Sequence, residues 1–147
     1  GMAKWTKGDV AVLAGIALVG VFAVLTIRYV PGLRGFYPSM AGHSAEAKLG
    51  LVLFHMAWWA SWLPGWEFLH RYFVLRSVSA RWPQWGWLLV PVLEAAYHLQ
   101  KHPLEMAGMF AMGVVLTYWA RKRENTLLPF VAHGLIEVEL LCFLLLV

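Results

Sequence analysis

Glu67, Glu94, Glu105, Glu137 and Glu139 are five of the eight acids in this 147-residue chain, and all five lie in or at the edge of apolar runs. A charge at the centre of a bilayer costs about 2.5–3.5 kcal/mol on insertion scales, so acids in such places face an interior that supplies partners. The spacing names those partners. Glu67 and Arg71, Glu94 and His98, and His133 and Glu137 are each four residues apart, which stacks each pair one helical turn apart on one face. Three helices would thus present a polar pair to a common interior. Carboxylates and imidazoles gathered there are the residue types of general acid–base catalysis, of metal ligation and, for histidine, of haem ligation.

Each of these residues also has a quieter role open to it. Glu67–Arg71 would serve as an interfacial salt bridge, and His98 as a cap on the end of its helix. His133 would be a packing histidine bonded to a carbonyl, although it sits roughly 10 Å into its helix. Glu139 points away from Glu137, so one of the two is structural or snorkels. His43 and His70 read as solvated or interfacial, and His102 as exposed in a turn. His55, near the middle of the second helix, would join His98 and His133 as axial ligands in a haem-binding redox protein. That reading leaves the glutamates unexplained.

The elements that must position these side chains follow from composition. The chain is 61% hydrophobic and 14% charged, with a mean hydropathy of +0.63, where a soluble domain carries about a quarter charged residues. A soluble globular domain, a disordered tail and a disulfide-stapled module are excluded. The single Cys142 excludes an internal disulfide and a cysteine zinc site. An all-α, polytopic transmembrane bundle of about six helices remains. The net charge of +4 comes from basic residues set between apolar segments, which suits membrane lipid as a partner and not nucleic acid.

The apolar run Val10–Ile27 predicts the first helix, and Pro31, Gly32, Gly35, Pro38 and Gly42 predict a loop after it. A second helix over Ala45–Trp62 is broken by Pro64-Gly65, and a third reaches Val78. A fourth covers Trp85–Leu99, a fifth starts at Pro103 and ends near Arg123, and a sixth runs from Thr126 to Val147. Six spans put both termini on one side. Arg28, Arg34, Lys48, Arg76, Arg81, Arg121, Lys122 and Arg123 then share the other side, so the positive-inside rule places both termini outside. Trp58, Trp59, Trp62 and Trp66 would form an outer aromatic belt, and Trp82, Trp85, Trp87 and Trp119 an inner one. On these boundaries Glu67 and His98 lie near the outer ends of their helices and His133 near an inner end. They meet only if one helix is set deeper than this division allows.

Three segments resemble the motifs of the CPBP (CAAX protease and bacteriocin-processing) intramembrane endopeptidase family. Gly65-Trp66-Glu67-Phe68-Leu69-His70-Arg71 is similar to its Glu-Glu-x-x-x-Arg motif in a Trp-Glu variant, with Glu67 on the second Glu. His98-Leu-Gln-Lys101-His-Pro103-Leu-Glu105 is similar to its helix-end His motif, and His133-Gly-Leu-Ile-Glu137 to His-x-x-x-Asn, with Glu in place of Asn. The motif-bearing core is residues 58–147, the N-terminal helices are residues 1–57, and the whole is one membrane domain. The resemblance implies an intramembrane endopeptidase acting on a membrane-anchored peptide or protein in a prokaryotic plasma membrane. In it Glu67 is the general base, Arg71 fixes Glu67, His98 orients the water, and His133 with Glu137 polarises the scissile carbonyl. Glu94, Lys101 and Glu105 support them. A metal-free, glutamic mechanism is favoured over zinc, which would fall to Glu67, His98 and His133 if bound. A site near the outer face would suit sorting-tail processing of the myxosortase type. A non-proteolytic scaffold that keeps the fold is the other alternative.

Overall fold

The computed structural model describes residues 5–146, which are helical with short connections. Helix α1 (Lys7–Tyr29) starts at a capping box, in which the Thr6 side chain accepts from the Asp9 N–H and the Asp9 carboxylate accepts from the Thr6 N–H. A short α2 (Pro31–Arg34) begins on a proline and leads into the loop to Ser44. There the Ser44 hydroxyl caps α3 (Ala45–Glu67). The chain continues without a break through a π-helical segment, Phe68–Val74, into α4 (Leu75–Arg81). A 3-10 turn at Gly86–Leu88 feeds α5 (Leu89–Ala96), followed by α6 (Pro103–Arg123) and α7 (Leu127–Leu146). Counted with residues 45–81 as one, there are six helical units among the described residues, and the all-α bundle expected from composition is what the chain forms.

The expected break at Pro64-Gly65 does not occur. Proline lacks an N–H and normally ends a helix, but Pro64 lies on the exposed side of α3 and the backbone runs on through it. The second and third predicted helices are therefore a single rod, and the side assignment changes with it. Asp9 at the start of α1 bonds Trp119 Nε1 (2.9 Å) and Arg123 (3.0 Å) at the end of α6, and Arg121 donates to the Pro83 carbonyl. These define one end of the bundle. Gly32 packs against His102, and the Met40 N–H bonds the Leu144 carbonyl (2.8 Å) at the other. Helix α1 begins at the first end and α7 finishes at the second, so the expectation of both termini on one side is corrected. Helices α1 and α7 run parallel, with Ile16 packed beside Ala132, and Val24 and Ile27 beside Leu140 and Phe143.

The surface is apolar and the interior carries the charge. Leu18, Phe22, Leu53, Phe54 and Phe73 all face outward, while Glu67, Arg71, Glu94 and His133 are buried. An outward apolar face of this extent fits lipid, not water. Helices α1 and α7 are long and apolar enough to cross a membrane. Trp82, Trp85, Trp87 and Trp119 do lie toward the first end, near Pro83 and Arg123. Trp59 and Trp62, expected in an outer belt, instead sit midway along the rod against α7, because the rod is continuous.

Helices α5 and α6 approach closely at Gly113. A methyl group there would lie 2.5 Å from Glu94 Oε2 and 2.9 Å from Pro91 Cβ. Gly113→Ala is therefore expected to destabilise the fold by about 1–3 kcal/mol, the usual range for overpacking, read as a lowered midpoint in thermal unfolding followed by tryptophan fluorescence. Wild-type stability in this variant would mean that α5 can move aside at no cost.

Candidate active site

The site begins in the π segment. The Leu75 N–H bonds the His70 carbonyl, a step of five residues, so each turn takes in one residue more than an α-turn. That wider turn brings His70 and Arg71, neighbours in sequence, both into the interior with Glu67. Single π turns inside α-helices are rare and recur at functional sites.

From Glu67 a chain of polar contacts crosses three elements. His133 Nδ1 of α7 lies 2.8 Å from Glu67 Oε1. If Glu67 is a carboxylate it only accepts, and in a neutral His133 the proton then lies on Nδ1 and the lone pair on Nε2. Arg71 Nε stands 3.7 Å from Glu67 Oε2, and Arg71 Nη1 bonds Glu94 Oε1 of α5. Arg71 thus sits between two buried carboxylates, bonded to Glu94 and facing Glu67. Across the ring, His133 Nε2 is 3.9 Å from Glu137 Oε1, beyond direct hydrogen-bonding distance. Trp59 is within hydrogen-bonding reach of Glu137, and the Trp62 ring meets the His133 ring edge-on at 5.6 Å.

A carboxylate–imidazole pair fixed from both sides inside an apolar bundle is one observation; the sequence comparison adds the second. The model of the family described as type II CAAX prenyl endopeptidase Rce1-like matches residues 47–138. The chain belongs to the Rce1-like family. No curated protein and no solved structure matches the chain. Membership makes the chain a membrane protein of a protease family, acting on a peptide or protein substrate. The Rce1-like match takes in the rod from near its start, the whole of α5 and α6, and α7 as far as Val138.

Within this Rce1-like site the expected residues fall into two groups. Glu67, Arg71, Glu94, His133 and Glu137 are linked to one another. His98, Lys101 and Glu105 form a second cluster toward the second end. His98 Nδ1 donates to the Glu94 carbonyl (3.0 Å), and its Nε2 faces Glu105 Oε1 at 3.9 Å. Lys101 Nζ lies 3.8 Å from the same Glu105 oxygen and over the rings of Phe36 and Tyr37. Burial and a hydrogen bond to Glu105 push the Tyr37 hydroxyl above its usual range, so Tyr37 stays a donor. Among the described residues no contact joins His98 to Glu67 or His133, and no three His, Cys, Asp or Glu side chains form a metal-ligand set.

The sequence reading misplaced His70 and passed over Asp9. His70, read as solvated or interfacial, is 2% exposed. It donates from Nδ1 to the Trp66 carbonyl (2.9 Å) and packs against the Trp66 ring in a tilted arrangement, with ring centroids 4.1 Å apart. Nothing in the sequence marks the π turn that draws it inward. Asp9, also 2% exposed, was legible in Thr6-x-x-Asp9, a capping-box spacing ahead of an apolar run.

Proposed function

We propose that the chain is an intramembrane endopeptidase in which Glu67 and His133 act as one base on a water bound at His133 Nε2, beside Glu137. The observation that carries this is the 2.8 Å contact between His133 Nδ1 and Glu67 Oε1. It leaves the free ring nitrogen aimed at the Glu137 side and gives the imidazolium a negative partner as it forms. His133 Nε2 takes a proton from the water, whose oxygen attacks the scissile carbonyl carbon. The tetrahedral intermediate then collapses with breakage of the C–N bond, and the imidazolium returns the proton to the leaving amine. Arg71, braced by Glu94, holds Glu67 in place. His98, expected to orient the water, takes a supporting role beside Glu105 and Lys101.

The substrate we propose is a membrane-anchored peptide. The first end carries Lys7, Arg76, Arg81, Arg121, Lys122 and Arg123, against Arg28, Arg34, Lys48 and Lys101 at the second, so the positive-inside rule favours a cytoplasmic first end. His133 is the seventh residue of α7, roughly 10 Å below that end at 1.5 Å per residue. This favours a peptide tail entering from the cytoplasmic side over a sorting tail at the outer face.

The test is reconstitution in proteoliposomes with lipid-anchored fluorogenic peptides. Cleavage at one bond is expected, lost in His133→Ala with the fold retained. Equal cleavage by wild type and His133→Ala would overturn the reading.

A further inference from the structure

A hydrolase needs hydrogen-bond donors where the oxyanion develops, and position 137 does not supply one as a carboxylate. It accepts only. Its near neighbour Trp59 is directed at Glu137 itself and is spoken for. Arg71 is held between Glu67 and Glu94. Among the described residues near the Glu67–His133 pair, the indole N–H groups of Trp62 and Trp66 are buried and unbonded, as is Arg71 Nε, which faces Glu67 at 3.7 Å. An unmade hydrogen bond on a buried donor carries the full desolvation penalty of that group, and the two indoles lie on adjacent turns of one helix, with ring centroids 5.9 Å apart. The Trp62 ring is the one against His133, at 5.6 Å and 71°, whereas Trp66 packs on His70 and Tyr97. Trp62 is only part-buried as a residue, so its ring edge can turn toward a carbonyl seated at His133.

We infer that the Trp62 indole N–H, with the Trp66 N–H one turn away, donates to the carbonyl oxygen of the scissile peptide and to the oxyanion that replaces it. This rests on the endopeptidase reading above. In the attack step the water oxygen bonds the carbonyl carbon, the C=O electron pair moves onto oxygen, and the proton goes to His133. Trp62 gives up no proton; it donates a hydrogen bond that strengthens as the charge forms. Removing a hydrogen-bond donor aimed at a developing oxyanion typically lowers kcat about 10²–10³-fold.

The experiment compares Trp62→Phe, Trp62→His and Trp58→Phe in proteoliposomes with a cleaved lipid-anchored peptide. Trp58 is exposed and serves as the control. Trp62→Phe is expected to lose about 10²-fold in kcat with KM and the thermal midpoint little changed. Trp62→His, which keeps a ring N–H, should recover part of the loss. Because a ring substitution can disturb packing, the wild-type protein gives an independent reading. In ¹⁵N-indole-labelled protein the Trp62 resonance, assigned by its loss in Trp62→Phe, should shift downfield when a peptide aldehyde binds. Full kcat in Trp62→Phe, or an indole resonance that does not move with the aldehyde bound, would overturn the assignment. Failure of the wild type to cleave any peptide would instead overturn the endopeptidase reading, so the two failures are distinct.

Discussion

Glu67→Gln is expected to lower cleavage about 10²–10⁴-fold, the usual worth of a positioned acid–base group, with the thermal midpoint close to wild type. The substitution keeps volume and shape, and the amide oxygen can still accept from His133 Nδ1. What it removes is the charge. The imidazolium that forms when His133 takes a proton then faces a neutral group in an apolar interior, where an unbalanced charge is costly. Arg71 keeps Glu94, so the buried network retains one complete ion pair. The measurement is kcat in proteoliposomes alongside thermal unfolding. Wild-type kcat in Glu67→Gln would show that the carboxylate only fills space and that His133 works unaided.

Glu94→Ala is expected to cost about 3–5 kcal/mol, because it strands a buried guanidinium. Arg71 and Glu94 are 3% and 1% exposed. The nearest remaining acid, Glu67, stands 3.7 Å from Arg71 Nε and is already engaged by His133. The matching experiment is the double variant Arg71→Met/Glu94→Leu. Replacing a buried ion pair with apolar groups of similar volume is often neutral or stabilising by about 1–4 kcal/mol. Stability should therefore return toward wild type in the pair while cleavage does not, since Glu67 has lost the group that braces it. A Glu94→Ala protein as stable as wild type would place water, not the carboxylate, as the partner of Arg71.

The polar pairs within a helix were legible in the sequence because a four-residue step has one geometric meaning. Glu67–Arg71 and His133–Glu137 face each other as that step requires, at 3.7 and 3.9 Å. Glu94–His98 obeys the same step, but His98 bonds the Glu94 carbonyl rather than its carboxylate. The contacts that make a site, Glu67 with His133 and Arg71 with Glu94, lie 66 and 23 residues apart, and no local period encodes them. The largest error had a local cause. Pro64-Gly65 carries a strong breaker signal, yet an exposed proline in this helix is tolerated. Reading it as a stop split one rod in two, moved Glu67 from mid-bundle to a helix end and placed both termini on one side. The apparent mismatch in depth between Glu67 and His133 came from that one residue.

The unbroken run from Ala45 to Arg81 is 37 residues long, or roughly 55 Å at helical rise. A bilayer core is about 30 Å thick, so a rod of that length leans or projects. Glu67 sits near its middle, whereas His133 belongs to a 20-residue helix of nearly matched length. On the proposed mechanism, a change in lean would slide Glu67 past His133, by a lever arm that the protein does not set alone. The thickness of the surrounding bilayer becomes a mechanical input to the alignment of acid and base, felt at a hydrogen bond 2.8 Å long.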